Sequence, residues 1–423
     1  MFQTLVKAFQ IKEVRRKIWI TILLLFVYRI GCYIPVPGMQ FNEGLADFTY
    51  LQIMNGISGG ALQYGTLFAM GIGPYINASI IIQLLTVGIP ALERLSKQGE
   101  EGRKKIANYT RIVTIILAIA QALGILLGFK DYVNTAAIFG SEGILNVLSY
   151  IFLIIVFTAG ACLTMWIGER ITDHGVSNGI SLLIFAGIIA TAGNAIIGMV
   201  SNFNATVAWE LLGFVLVAIV IFAAIVAVDG AERKIPVQYA KQVKGRKMYG
   251  GQSTFIPIKV NSSGVMPLIF AYAILSFPDL IINLLGSDGG WYTKNMGTGS
   301  WLNTIILCVL ILFFAYFYNQ IQFNPDDISK SIQGNGGFIP GTRPGKPTAD
   351  YLKRISNRIT LFGAIFLAIV AFVPSLAFKL IAGDYLINVF SATGLLIVVS
   401  VALEFNQALE SQIMMKNYKG FLK

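Results

Sequence analysis

Phe68-Ala-Met-Gly-Ile-Gly-Pro-Tyr-Ile-Asn-Ala-Ser-Ile-Ile-Ile-Gln-Leu-Leu85 is apolar enough to enter a bilayer, yet it passes through Gly71-Ile-Gly-Pro74, which resists a helix. Glycine costs about 1 kcal/mol and proline about 3 in a helix interior. In lipid an unpaired backbone group costs several kcal/mol, so a span broken at membrane depth lines a cavity. Ahead of the break, Asn55-Gly-Ile-Ser-Gly-Gly-Ala61 is too short and too glycine-rich to cross as a helix. Residues 55–70 are therefore expected to form a small, weakly held element that can move. From Pro74 onward the spacing predicts a helix with Ile72, Ile76 and Ile80 on one face and Asn77, Ser79 and Gln83 on others. Such a stripe is either a lipid or core contact or an apolar constriction that closes a pore by excluding water.

Outward from this segment, runs of about 20 apolar residues, the length that crosses hydrocarbon, recur along the whole chain. They lie near 18–36, 71–90, 107–129, 147–168, 178–200, 207–228, 264–285, 301–322, 359–381 and 385–409. The 423 residues are 55% hydrophobic and only 13% charged, against roughly 25% charged in a soluble domain. Lys and Arg test this span count independently, because they concentrate in cytoplasmic loops. With the N-terminus inside, 28 of the 32 fall in the N-terminal segment, in 91–111, at Arg170, in 229–263, in 323–358 and in the tail. Only Arg29, Lys130, Lys294 and Lys379 fall outside. The net charge of +11 is thus first a topology signal. The first span ends at Pro35-Val-Pro37-Gly38, too far along and too proline-bounded for a cleaved signal peptide, and is expected to stay.

The fifth span opens on Ser177-Asn-Gly-Ile-Ser181, with Ile180 and Ile184 four residues apart, and the seventh on Asn261-Ser-Ser-Gly-Val-Met-Pro267. Broken openings in corresponding places suit an inverted repeat of five plus five spans, although no internal sequence identity is visible. The loop 229–263 alternates apolar and charged residues around Gly245, the pattern of a hairpin or helical prong. In the second prong, 323–358, Arg343 stands between Gly and Pro residues and presents its guanidinium at low entropic cost to carboxylate, phosphate or carbonyl partners. Cys32, Cys162 and Cys308 lie far apart inside apolar spans and read as core packing, and the lone His174 reads as a solvated loop residue. No metal site or cofactor is expected. An ion-coupled secondary transporter, the alternative function, needs mid-membrane carboxylates, to which only Glu404 and Asp279 come near. No Walker A, Gly-x-Ser-x-Gly or His-Glu-x-x-His segment is present, so the expected protein is not an enzyme and a partner supplies its energy.

The chain resembles the SecY family, the channel subunits of the bacterial protein-export translocase. The resemblance runs through Tyr33-Ile-Pro-Val-Pro-Gly38, the opening stretch 68–85, Met165-Trp-Ile-Gly-Glu-Arg-Ile-Thr172 and Asn178-Gly-Ile-Ser181. It continues through Arg233-Lys-Ile-Pro-Val-Gln-Tyr-Ala240, Pro340-Gly-Thr-Arg-Pro-Gly345 and Leu395-Leu-Ile-Val-Val399. It implies an all-α membrane protein of ten transmembrane helices, in two inverted five-helix halves around a central hourglass pore. The implied parts are a cytoplasmic amphipathic N-terminus (1–17), an N-terminal half (18–200), a C-terminal half (201–409) carrying both prongs, and a cytoplasmic tail (410–423).

By the same resemblance, unfolded preproteins cross a bacterial cytoplasmic membrane through a ring of Ile72, Ile76, Ile180, Ile184, Ile269 and Ile397. A plug at about 55–66, carried by Asn55, Gly56, Ile57, Ser58, Gly59, Gly60, Ala61 and Leu62, seals the external funnel. A lateral gate between spans two and seven, with Gln83, Ser276 and Phe277, admits signal peptides and releases hydrophobic helices to the lipid bilayer. Implied docking residues for the motor SecA or a ribosome are Arg233, Lys234, Tyr239, Lys244, Arg246, Arg343, Lys346 and Tyr418, and SecE and SecG are the implied partner subunits. Two departures stand out. Ser391-Ala392-Thr393 replaces the family's frequent Gly-Gly-Thr before the last pore residue, and Gly73 stands where Met is usual.

Overall fold

The computed structural model describes residues 2–39, 55–56, 58–128, 133–140, 142–201, 205–239, 242–244, 247–249, 253–261, 264, 266–284, 290–296, 300–381 and 392–421. In chain order its helices are α1 (Phe2–Gln10), α2 (Lys12–Gly31), α3 (Gly73–Gly88), α4 (Pro90–Ser96), α5 (Glu100–Gly128), α6 (Gly143–His174) and α7 (Gly179–Ser201). There follow α8 (Ala205–Asp229), α9 (Met266–Leu284), α10 (Gly290–Met296), α11 (Trp301–Gln322), α12 (Pro325–Gly334), α13 (Lys346–Ile381) and α14 (Ala392–Phe421). Setting aside the short α1, α4, α10 and α12, the remaining helices fall one to each predicted span.

Helices α5, α6, α11 and α13 carry span-length windows of mean hydropathy 2.1, 2.3, 2.1 and 1.9. Helix α4 leaves the end of α3 across a 105° bend. The bend has a local cause, since Ile89 precedes Pro90 and is held extended at φ −110° and ψ 112°. Large apolar side chains point outward along these helices, with Phe26 66% and Trp301 73% exposed. Water would penalise such a surface, whereas lipid tails do not.

Inside, one large core draws on α2, α3, α6, α7, α8, α9, α11, α13 and α14, from Tyr28 and Ile72 to Phe314 and Val401. A second core joins α5 and α6 to Val36, Met39, Leu62 and Met70.

The two prongs are more unified than expected. Strands β1 (Glu232–Tyr239) and β4 (Ser253–Lys259) make a hairpin whose outer part holds β2 (Gln242–Lys244) and β3 (Lys247–Tyr249), so the first prong is a β-hairpin. Strand β5 (Gly337–Phe338), from the second prong, adds to the free edge of β1, pairing Gln238 with Phe338 and Tyr239 with Gly337. Alternation puts Ile235 and Val237 of β1 on one face, where Ile332, Ile339 and Leu352 cover them. The two prongs are therefore one body with its own core. The same core explains why α13 starts at Lys346 rather than near 359: Leu352, Ile355 and Ile359 carry an apolar helical stripe onto the sheet.

Candidate pore, plug and docking face

All six isoleucines expected to form the ring enter the large core. Ile72, Ile184 and Ile397 are buried within it, and Ile76, Ile180 and Ile269 pack partly buried against it. They arrive from the break before α3, from α3 itself, and from α7, α9 and α14. The approach of α7 depends on glycine. Gly168 faces Ile180 and Ile72, and a Cβ there would stand 3.4 and 3.5 Å from their side chains. A Cβ on Gly179 would collide with the Gly168 carbonyl, so α6 and α7 meet backbone to backbone at the start of α7. That start is capped locally: Asn178 Oδ1 accepts from Ile180 N at 3.1 Å and Thr172 Oγ1 accepts from Gly179 N at 2.9 Å.

Much of the segment 55–66 is buried by its neighbours. Its own structure is slight, a helical turn at Asn55, Gly56 and Ser58 followed by turns, as its glycines dictate; Ile57 lies outside the described residues. Yet Ser58, Ala61, Leu62 and Thr66 are buried, with Ala61 in the large core and Leu62 in the second. Asn55 organises the turn: its Oδ1 accepts from Gln63 N at 3.0 Å and its carbonyl accepts from Gly60 N at 2.9 Å. The far end is tied to residues 34–36, where Gly65 O accepts from Val36 N at 3.0 Å and Leu67 N donates to Ile34 O at 2.9 Å. Just beyond it two walls close on the chain, because a Cβ on Gly160 would collide with the Leu67 carbonyl and one on Gly31 with the Phe68 ring. Low helix propensity described the segment alone, whereas burial by its neighbours decides how firmly it sits.

On the body formed by the two prongs, Arg343 is exposed while its backbone is fixed. Its carbonyl accepts from Thr348 Oγ1 at 2.8 Å, and Gly345 O accepts from Ser329 Oγ at 2.7 Å. Gly341 at φ +86° and Gly345 at φ +93° make the turns on either side, a conformation that other residues rarely adopt. Lys346 and Arg233 are also exposed. Lys234 is engaged within the sheet, 3.2 Å from Glu232 Oε1 and 4.9 Å from the Phe255 ring centroid. Tyr239 lays its ring on Gly337, where a Cβ would come within 2.8 Å, so its side chain serves the joint between the prongs. Lys244 lies on β2 and Tyr418 on α14, with only their backbones described, and Arg246 lies outside the described residues.

The SecY family model matches residues 66–406. Protein translocase subunit SecY of Streptomyces coelicolor is 40% identical over 447 residues, covering 100% of both chains. The chain belongs to the SecY family. Two solved structures share the fold. One, described as the structure of a protein conducting channel, matches with TM-score 0.67 at 22% identity over 94% of this chain and 92% of its own. The other, Sec61 in the canine ribosome-channel complex from the endoplasmic reticulum, matches with TM-score 0.65 at 19% identity over the same shares. The fold class is accordingly that of the SecY family, an all-α, multi-pass membrane protein of ten transmembrane helices in two inverted halves around a central pore.

Within this SecY fold, α3 packs mainly on α5, and α9 on α11 and α5, while α3 and α9 touch only slightly. Gln83 of α3 donates from Nε2 to Ser79 Oγ at 3.2 Å, and its buried Oε1 has no hydrogen-bond partner among the described residues. Such an unmet acceptor costs about 1–3 kcal/mol and weakens the apolar surroundings in which it sits. Ser276 and Phe277 lie on α9, where only the backbone is described.

Sequence reasoning missed Asp229. It ends α8, where a negative charge opposes the helix dipole and therefore needs compensating partners, which was the available signal. Its Oδ1 accepts from Asn261 Nδ2 at 2.7 Å and its Oδ2 from Ser400 Oγ at 2.6 Å. One carboxylate thus ties the end of α8 to the lead-in of α9 and to α14, which carry Ile269 and Ile397. Asp229→Ala is expected to destabilise the detergent-solubilised protein by about 2–3 kcal/mol, two charge-assisted bonds less solvent compensation, read as a lowered midpoint of thermal unfolding. Asp229→Asn is expected to fall between. The sequence also gave no hint that Glu169, inside its motif, accepts from Arg111 Nε at 2.8 Å and joins α5 to α6.

Proposed function

We propose that this SecY-family protein is the protein-conducting channel of a bacterial general secretory pathway, in the cytoplasmic membrane with both termini cytoplasmic. The observation that carries this reading is the convergence of six isoleucines from separate helices on one core beside a buried, glycine-rich segment. An isoleucine ring blocks ions when closed and yields to side chains of any type, because dispersion contacts require no specific chemistry. Residues 55–66 are the plug, and displacing them together with the ring opens the path for an unfolded preprotein. The seam between α3 and α9, with Gln83, Ser276 and Phe277, opens sideways to receive signal peptides and release transmembrane segments to lipid. The concentration of Lys and Arg in alternate loops supports the orientation.

The protein performs no chemistry of its own. Its energy comes from SecA or a translating ribosome docked on the fused prongs, with Arg233, Lys234, Lys244, Arg246, Arg343, Lys346 and Tyr418 on that side and Tyr239 supporting the joint. The relative in the canine ribosome-channel complex supports the ribosome as a partner, and basic loops suit ribosomal RNA. SecE and SecG complete the translocase. The transporter alternative is not favoured.

The test is photocrosslinking from probes at 72 and 269 in membranes carrying a stalled export substrate. Adducts of the polypeptide at both positions are expected. Their absence, with the substrate demonstrably stalled at the membrane, would overturn the assignment.

A further inference from the structure

Arg29 stands outside the cytoplasmic segments, near the end of α2, so topology does not account for it. A guanidinium at that depth is costly unless partners are built around it. Here they are uncharged. Nη1 donates to the Gly59 carbonyl at 3.2 Å, Nη2 donates to the Tyr33 hydroxyl at 3.1 Å, and the Arg29 guanidinium carbon lies 5.1 Å from the Tyr33 ring centroid. Tyr33 thus holds the guanidinium by two contacts and leaves Nη1 directed at the segment 55–66.

Gly59 is shaped for this contact. Its φ is +73°, and a Cβ there would collide with Arg29 Nη1 and come within 3.1 Å of the Gly187 Cα on α7. Only glycine lets the carbonyl turn toward Arg29 while the chain presses on α7. A backbone bond from Val36 N to Gly65 O at 3.0 Å ties the far end of the segment, and the side-chain contacts other than that of Arg29 are weaker holds. The Thr191 hydroxyl is 3.2 Å from the Gly56 carbonyl but also 3.1 Å from Gly187 O in its own helix, so its one proton has an acceptor whether or not the segment is present. Cys32 Sγ is 3.7 Å from Ser58 O, and a thiol is a weak donor.

We propose that Arg29 is the latch of the plug: from α2 it positions residues 55–66 in the closed channel through a charge-assisted hydrogen bond to the Gly59 carbonyl. The burial of Ala61 and Leu62 makes the seal, and Arg29 sets where the segment rests. A neutral acceptor suits a latch. The guanidinium keeps Tyr33 and gains water when the segment leaves, whereas a carboxylate partner would leave two buried charges to separate. The proposal rests on reading 55–66 as the plug.

The experiment uses the complete translocase in planar bilayers without substrate, reading resting ion conductance for wild type, Arg29→Met, Arg29→Lys, a deletion of 55–66, and the deletion combined with Arg29→Met. Methionine keeps an apolar stem and removes the donors. Arg29→Met is expected to raise the resting open fraction roughly ten- to hundredfold, the range of one charge-assisted hydrogen bond. Lysine, which keeps a charged donor, is expected to restore much of the closure. In the deletion background Arg29→Met is expected to add nothing, because its effect passes through the absent segment.

A sealed Arg29→Met channel beside a leaky deletion would overturn the latch and leave the plug. A sealed deletion would overturn the plug reading itself. An equal increment from Arg29→Met with and without the segment would also overturn the latch. If Arg29→Met does not assemble, Gly59→Ala perturbs the same contact from the other side, and tight closure of that variant would count against the proposal.

Discussion

Ile184→Asn is expected to give a channel that conducts ions at rest and exports preproteins whose signal sequences are defective. Ile184 is 3% exposed in the large core and belongs to the ring proposed here. Removing its aliphatic group forfeits about 2–3 kcal/mol of apolar burial. The amide that replaces it needs hydrogen bonds that isoleucine neighbours cannot supply, so water follows it into the constriction. Loss of that much closed-state stability raises the open population by roughly 30- to 150-fold, enough to replace the push that a good signal sequence gives. Ile397→Asn, on α14, is expected to behave in the same way. Conductance of the reconstituted translocase and export of a signal-defective reporter read the two consequences separately. A variant that remains tight and selective would remove Ile184 from the ring.

Charge reversal at Arg343 is the second large expectation. Arg343→Glu should lower SecA-driven export by more than about tenfold while the protein still reaches the membrane at normal levels. The backbone on either side is fixed by Thr348, by Ser329 and by two positive-φ glycines, so the guanidinium is presented with little entropy left to lose. Truncating one partner of a docked charge pair costs about 2–5 kcal/mol, and reversal adds repulsion. The exposed side chain has no part in the core of the fused prongs, so folding should be spared. Export kinetics in membrane vesicles, alongside the amount of protein inserted, distinguish the two. Normal kinetics would place the motor's contact elsewhere.

How much of this was legible in the sequence follows from the range of the forces involved. Each predicted span has its helix because hydropathy and loop charge are local properties that the bilayer enforces residue by residue. The break before α3 is legible for the same reason: Gly71, Gly73 and Pro74 keep a helix from running through, and Pro74 suits a first turn. The 105° bend at Ile89 is carried by Pro90, at the point where the predicted span ends. The sequence of the prong 229–263 does not distinguish hairpin from helix, and its pairing with Gly337 and Phe338 is invisible in it, since that contact spans about a hundred residues and depends on a strand of two.

The segment 55–66 is where the two levels of description part. Its sequence determined that it has little structure of its own, because twelve residues with four glycines cannot hold a helix against their backbone entropy. Only the tertiary structure decided that it is nonetheless held, buried by two cores and pinned to α2 and α7. Propensity is a sum over the residues of one segment, whereas burial and the reach of a guanidinium depend on neighbours that the chain brings together from far away.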